Sequence, residues 1–382
     1  MPWKEETVEN LRKTFVLEAI QEGSNMSQLC RTYGISRKTG YKWLQRYQEG
    51  VDMGDQKRSP HVMPRKTPRE TEELILSVRS RHPTWGARKI LRYLEDKGNS
   101  GLPAPSTTTA ILKRNGFIQP EDSACHVPFR RFVRDGPNDL WQMDFKGHFA
   151  MQNGVRCHPL TMKDDHSRAL LCLDAYDNER WDSVKRSLTR VFSENGLPKA
   201  ILCDNGAPWG DSSNGYTPFE IWMMQMDVLP IHGRPCHPQT QGKEERFHRT
   251  LNEDVIKRIP LRDLAHAQQV FDAYRLEFNT ERPHAALGLD VPAKHYRPSS
   301  RAFPSLPEEP DYDVGKTLRK VNCKGYVSVQ NHRYYLSESF IGKYLELVPA
   351  FNDQLSLCYG SFVIAKIDLN ERLFVSRKIF RR

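Results

Sequence analysis

The sequence has eight cysteines and no Cys-x-x-Cys pair, which argues against zinc ribbons and a disulfide scaffold; the thiols read as reduced and cytosolic. It lacks any apolar run near the roughly 20 residues needed to cross a bilayer, so no membrane partner is expected. The opening Met-Pro-Trp-Lys-Glu-Glu offers no apolar signal core, which argues against secretion. Acidic residues are in deficit, 47 against 57 Lys and Arg, leaving a net charge of +10. That excess is uneven: about +9 over 1–134, about −3 over 135–300 and about +4 beyond. Basic flanks around a mildly acidic middle suit DNA-holding domains around a metal-binding core, although ribosomal and membrane-surface proteins can be as basic. A chain of 382 residues should form about two to four domains.

The amino-terminal third reads as helical. Val8, Leu11, Phe15 and Ala19 recur at helical spacing over 5–22. A short helix over 27–33 ends at Gly34, and Ser36 can cap a third helix reaching about Tyr47. Helix, glycine turn and capped helix predict a helix-turn-helix over 1–50, with Ile35, Leu44 and Tyr47 facing its core. Ser36, Arg37, Lys38, Thr39, Lys42, Gln45 and Arg46 should face DNA. The plainer alternative is a three-helix bundle with a solvated basic face. Residues 51–66 read as a linker. Thr67-Pro68-Arg69-Glu70 then combines a capping box with proline at the first helical position, opening a helix to about Arg81. Helices from near Gly86 to Lys97, and from Ser106 as cap to Asn115, complete a second helix-turn-helix over 67–118. Its DNA-facing candidates are Arg88, Lys89, Ser106, Thr107, Thr108, Lys113 and Arg114. Residues 119–138, with Arg130, Arg131 and Arg134, are either a basic arm that tracks a phosphate backbone or a solvated linker.

From Asp139 the pattern becomes strand-like. Segments 139–149, 157–164 and 168–175 predict antiparallel strands, followed by a helix (181–195), a strand (199–204), a helix (218–226) and a strand (228–231). Helices over about 241–257 and 261–279 complete an order that predicts a ribonuclease H-like α/β core over 139–298. A proline-rich linker (299–315) follows. The tail then alternates apolar and polar residues between turns at Asn331, Gly342, Asn352-Asp353 and Gly360, which predicts a small all-β barrel or sandwich over 316–382. The fold class is thus multidomain: all-α modules, an α/β core and a β tail.

Asp144 lies in the apolar run Leu-Trp-Gln-Met-Asp-Phe (140–145). Asp204 closes a second run, Ala-Ile-Leu-Cys-Asp (200–204), directly before an Asn205-Gly206 turn. Glu245 sits where a loop opens into a helix. In such a core the two strands are neighbours and the helix crosses nearby, so the three carboxylates can hold two Mg2+ or Mn2+ ions. One ion would activate a water or a 3′-hydroxyl and the other would steady the departing oxygen.

Five segments in order carry a family resemblance: Trp-Gln-Met-Asp (141–144), Asp-Asp-His-Ser-Arg (164–168), Cys-Asp-Asn-Gly (203–206), Pro-Gln-Thr-Gln-Gly-Lys-Glu-Glu-Arg-Phe (238–247) and Asn-Thr-Glu-Arg-Pro-His-Ala-Ala-Leu (279–287). Together they resemble the transposase and retroviral-integrase superfamily, in particular bacterial insertion-sequence transposases. The resemblance implies a DDE transposase with Asp144, Asp204 and Glu245 as catalytic and metal-binding residues. Counting three residues on from Gly242 selects Glu245, and Glu244 is the competing choice. The resemblance also implies cleavage of double-stranded transposon ends to free a 3′-hydroxyl, transfer to target DNA, and a homodimer or larger synaptic assembly on DNA. The expected location is the bacterial cytoplasm, with the nucleoid. Lys243, Arg246 and Arg249 are candidate phosphate contacts, Arg249 because it shares a helix face with Glu245. Asp165 and His166 should hold a hairpin, Arg282-Pro283-His284 should pack or support DNA, and Trp141 and Trp222 should be core. His232, Cys236 and His237 lack a fourth ligand for zinc. The rival readings are a catalytically silent DNA-binding regulator and a simple metal-dependent nuclease.

Overall fold

A computed structural model describes residues 7–55, 67–118, 134–206, 208–210, 215–233, 242–304 and 306–382. The chain forms two compact units, Met1–Lys66 and Thr67–Arg382. The first contains α1 (Val8–Ala19), α2 (Met26–Thr32) and α3 (Arg37–Gln48). Each starts on a polar cap: the side chains of Thr7, Asn25 and Ser36 accept from the amides of Asn10, Ser27 and Thr39 at 3.3, 3.0 and 3.1 Å. Phe15, Val16, Cys30, Trp43 and Met53 make the core. Gly40 permits the close approach of α3, since a Cβ there would meet Cys30 Sγ at 2.7 Å. Two expectations change. Val8, Leu11 and Tyr47 are exposed, because the small core is filled by Phe15, Val16 and Trp43. Met53, expected in a linker, is buried in that core, and its carbonyl accepts from Arg12 at 2.9 Å.

The second unit opens with α4 (Arg69–Arg81), α5 (Ala87–Asp96) and α6 (Pro105–Arg114), packed around Ile75, Trp85, Ile90 and Ile111. The capping box does not form; Pro68 is itself the cap residue and makes no side-chain cap bond. Nor is Ser106 a cap. Pro105, with its preset φ, occupies the first helical position after Ala104 as cap, so α6 starts two residues earlier and Ser106 lies inside it.

The central sheet is built from β1 (Trp141–Phe145), β2 (Phe149–Ala150), β3 (Arg156–Asp164), β4 (Leu170–Tyr176), β5 (Ala200–Cys203) and β6 (Leu229–His232). Its order is β4–β3–β1–β5–β6, with β2 on the first residues of β3. The β1–β3 and β3–β4 pairs are antiparallel, while β1–β5 and β5–β6 are parallel. Alternation along the strands creates two apolar faces. Trp141, Met143, Leu160 and Met162 pack with α7 (Trp181–Asn195) and α8 (Pro218–Gln225). Leu170 and Leu173 pack with α9 (Gly242–Leu251) and α10 (Leu264–Thr280) on the other face. A π-helical turn, Asn252–Ile256, follows α9.

Helix α10 also covers the edge strand β4. Gln268 accepts from Ala175 N (2.8 Å) and donates to Leu173 O (3.2 Å), while Asn279 accepts from Leu170 N (2.8 Å) and donates to Leu170 O (2.9 Å). Side-chain amides thus satisfy backbone groups that would otherwise template another strand.

The first part of the expected linker is instead a strap on the core. Leu197 N donates to Arg301 O (2.8 Å), Phe303 packs in the core, and Gly196 faces Ser299 so closely that a Cβ would meet its carbonyl at 2.6 Å. Arg301 donates to the carbonyls of Pro198 (2.6 Å), Met226 (3.0 Å) and Asp227 (2.7 Å). Arg301→Ala should therefore cost about 1–3 kcal/mol, seen as a lower urea midpoint at unchanged slope.

The tail comprises β7 (Leu318–Lys320), β8 (Tyr326–Val329), β9 (His332–Tyr335), β10 (Tyr344–Pro349), β11 (Gln354–Tyr359), β12 (Phe362–Asp368), β13 (Leu373–Ser376) and β14 (Phe380–Arg381). Five strands pair in the order β13–β12–β11–β10–β7, β14 adds to β12, and β8–β9 is a separate hairpin. Among the described residues β7 and β13 do not meet, so of the barrel or sandwich expected the tail forms an antiparallel sheet region, with no closed barrel among those residues. Its apolar face has another cover: Tyr216, Ile221 and Met224 share one cluster with Leu336, Phe340 and Tyr359.

Candidate active site

The parallel β1–β5 register pairs Trp141 with Ile201 and Gln142 with Leu202. Carried two places further, it sets Asp144 beside Asp204, one residue past the end of β5. Thr161, opposite Asp144 on β3, donates to the Asp144 carbonyl at 2.9 Å. The Asp204 carboxylate accepts from Gly206 N at 3.1 Å, and Asn205 closes the turn through Gly233 O at 2.8 Å. His232 steadies the same turn, with Nδ1 3.0 Å from the Asp204 carbonyl and Nε2 3.1 Å from Glu220.

Burial, then the charges of Glu244 and Asp204, push the Asp144 carboxyl up to about 8. Burial likewise raises Asp204. The closest basic group to Asp144 among the described ion pairs is His248 Nδ1 at 3.9 Å. Burial, with Lys163 and Lys146 nearby, pushes that imidazole down to about 3, so it is neutral and gives no countercharge. Among the described residues Asp144 has no cationic partner and Asp204 has only His232 nearby, so a divalent metal ion fits the pair, and its charge would restore their ionised forms.

A third carboxylate is not brought to metal-ligating distance of this pair among the described residues. On α9 the inward face is Glu244, Phe247, His248 and Leu251, at helical spacing; Glu245 and Arg249 share the adjacent, exposed face. Glu244 is fully buried: its Oε1 lies 3.4 Å from Lys163 Nζ and its Oε2 3.3 Å from Thr161 Oγ1. Burial pushes Glu244 up and Lys163 down, each partly offset by the other's charge. The sequence-preferred Glu245 thus stands at the surface of the first helical turn, and its rival Glu244 lies beneath the site. Residues 234–241, which precede that turn and include Cys236 and His237, lie outside the described residues.

Several DNA-binding candidates have other work in this structure. Lys243 pairs with Asp165, and its carbonyl accepts from Lys163 at 2.9 Å. Arg114 pairs with Glu72. Thr108 is buried and bonds Ala104 O at 3.2 Å, which corrects its outward assignment. Lys89 is half-buried; burial, then the neighbouring Arg282, pushes its amine down to about 8. Arg134 lies on the 164–167 hairpin, its amide 3.0 Å from Asp165 and its carbonyl 2.9 Å from His166. Ser36 and Thr39 bond each other at the start of α3. Lys42 and Arg46 stand over the Trp43 ring at 4.9 and 5.0 Å. Gln45 donates to Glu49 at 2.8 Å. Arg37, Lys38, Arg88, Ser106, Thr107, Lys113, Arg246 and Arg249 are exposed. Arg130 and Arg131 lie outside the described residues.

Asp165 and His166 do hold the hairpin, and Trp141 and Trp222 are core. Arg282 is buried against Asp254, consistent with a packing role. Sequence reasoning missed Thr161, Lys163 and His248. The signal for the first two was a hydroxyl and an amine at alternate positions of the otherwise apolar Leu-Thr-Met-Lys run (160–163).

An α/β core with two burial-raised carboxylates at the ends of adjacent parallel strands is an integrase-type core. Residues 134–238 and 226–292 each match an integrase core domain, residues 12–61 a helix-turn-helix domain and residues 39–112 a homeodomain-like domain. The chain is similar to the transposase for transposon Tn552 of Staphylococcus aureus, 21% identical over 401 residues that cover 91% of this chain and 79% of that one. It is also similar to an uncharacterized 31.7 kDa protein of insertion element IS407 from Burkholderia multivorans, 27% identical over 158 residues, 41% of this chain and 55% of that one. The chain spans about half the length of the IS407 and IS476 insertion-element relatives it matches. Among solved structures, a simian T-cell lymphotropic virus intasome in complex with PP2A regulatory subunit B56 gamma aligns with TM-score 0.39 at 14% identity, covering 81% of this chain and 98% of that one. This chain is an insertion-element transposase-like protein, with N-terminal helix-turn-helix domains and an integrase core domain. No helix among the described residues is long and apolar enough to cross a membrane.

Proposed function

We propose that this protein is a DNA transposase of an insertion sequence, acting through a ribonuclease H-like core with Asp144, Asp204 and Glu245 as its catalytic carboxylates. The observation that supports the proposal is the β1–β5 register, which carried forward sets Asp144 beside Asp204, both carboxyls raised by burial. Asp144 and Asp204 would share one Mg2+ or Mn2+, and Glu245, on the exposed face of α9, would complete a second site with Asp144. Bound there, the ions would lower the pKa of the attacking hydroxyl and neutralise the departing 3′-oxygen. Thr161 fixes the backbone of Asp144, and Gly206 with Asn205 fixes Asp204, so the carboxylates meet substrate without rearranging. Arg249, one turn from Glu245, and Arg246 would steady the phosphates on either side of the scissile bond. Water and then the freed 3′-hydroxyl serve as nucleophiles, so no covalent protein–DNA intermediate arises. The helix-turn-helix domains would bind the element's terminal repeats, and two ends would be joined by a dimer or larger assembly on DNA.

The deciding experiment incubates the protein with end-bearing DNA and target DNA in Mg2+ or Mn2+. Joined product is expected. Cut ends without joining would identify a nuclease instead, and end binding without any metal-dependent product would identify a regulator. If about 6–10 phosphates are contacted, end affinity should fall by roughly 10³–10⁵ between about 50 and 200 mM salt.

A further inference from the structure

The carboxylate of Asp254 joins three separate parts of the second unit. It lies in the π-helical turn that ends α9, with its side chain 8% exposed. One oxygen accepts from Thr84 Oγ1 at 2.6 Å, from the loop between α4 and α5. The other accepts from Tyr274 OH on α10 at 3.0 Å and pairs with the buried Arg282. Arg258, just beyond the turn, donates to Arg81 O at the end of α4 (3.1 Å). In the same loop His82 pairs with Glu277 at 3.1 Å and stacks on Trp85 at 3.9 Å, with the Arg282 guanidinium 6.0 Å from the Trp85 ring. The α4–α6 module is therefore seated on the end of the catalytic helix.

The turn is wide: Lys257 N reaches back five residues to Asn252 O at 3.0 Å. A π turn adds a residue to the helical path and so changes the rotation of everything before it relative to a regular α-helix. We propose that Asp254 is a positioning residue: held by Thr84 and Arg282, it keeps the π turn in place and thereby sets the rotation of α9 that turns Glu244 inward and leaves Glu245 on the exposed face of the first turn, open to a metal ion. Glu245 lies nine residues upstream, about 13 Å along the axis, so a change of rotation at the turn is carried directly to it. DNA held by the α4–α6 module would then bear on the active site through the Thr84–Asp254 contact, beside that of Arg258 with Arg81. This rests on the proposed metal-binding role of Glu245.

The test compares Thr84→Val, which keeps shape and removes the hydroxyl, with Thr84→Ser, which keeps the hydroxyl. Hydrogen exchange of the full chain should quicken at least threefold across 246–256 in Thr84→Val and stay at the wild-type rate in Thr84→Ser. The Mn2+ concentration that half-saturates thermal stabilisation should rise at least threefold in Thr84→Val alone, with end-DNA binding unchanged within twofold. Faster exchange confined to 82–86, or altered exchange over 246–256 with an unchanged Mn2+ midpoint, would overturn the proposal. If Mn2+ does not stabilise the wild type, the functional reading fails, while the exchange comparison still decides whether Thr84 holds the turn.

Discussion

Asp144→Asn should abolish strand transfer, by at least about 10²–10³-fold, the scale of losing one electrostatic element of an active site. It should also make the metal-free protein harder to unfold. The Asp144 carboxyl is pushed up to about 8 in the folded chain, from an ordinary value of 3.8. Between those values the folded state binds a proton that the unfolded state has released, so stability falls as pH rises from about 4 to about 8 and is flat above. Asparagine is neutral throughout and escapes that loss. At pH 8 without divalent ions the variant should melt several degrees above wild type, about 1–2 kcal/mol after allowing for partial solvent access. Added Mg2+ should close the gap by stabilising only the wild type. Equal melting points with and without metal, together with retained strand transfer, would remove Asp144 from the site.

The second large effect separates two adjacent glutamates. Glu245→Gln should leave thermal unfolding unchanged, because the side chain is exposed, and should reduce strand transfer as severely as Asp144→Asn. Glu244→Gln should do the reverse. It leaves Lys163, only 10% exposed, without its ionic partner 3.4 Å away. Breaking a buried pair in this way costs about 3–5 kcal/mol, and the low end is expected because burial already raises the Glu244 carboxyl. Strand transfer by the remaining folded Glu244→Gln protein should stay within a few-fold of wild type. If activity instead vanished in Glu244→Gln and survived in Glu245→Gln, Glu244 would be the third carboxylate. Measuring both melting and strand transfer on both variants makes the assignment unambiguous.

The sheet and its carboxylates were readable because each left a strong local signal. Asp144 lies within one apolar run and Asp204 ends another, and Trp181–Asn195 emerged with the bounds the sequence indicates. Four turn sites in the tail were legible from Asn and Gly positions, and Asn331, Gly342, Asn352, Asp353 and Gly360 all take positive φ. Errors arose where long-range packing chose between local options. Ser106 is an excellent cap by type, yet Pro105 starts the helix first. The 299–303 strap looked like linker because it opens on two serines and lies between Pro298 and Pro304, while its anchoring comes from Arg301 and from carbonyls 74 to 103 residues away in the chain. Barrel closure depends on what covers the apolar face of the sheet, and Ile221 and Met224 lie too far off in sequence to suggest it. At α9, periodicity identified the helix, but two consecutive glutamates differ by one step of rotation that only the packing partners Thr161 and Lys163 resolve.

The amide side chains that seal β4 impose an order on synthesis. Strand β4 is complete at Tyr176, whereas Gln268 and Asn279 emerge roughly a hundred residues later, about 5–20 s at ribosomal rates. Throughout that interval a nascent chain carries a bare strand edge rich in leucine. Two ribosomes following each other on one message would bring such edges close together. Slow translation between codons 177 and 280 should therefore lower the yield of native protein more than an equal delay placed after α10 has emerged.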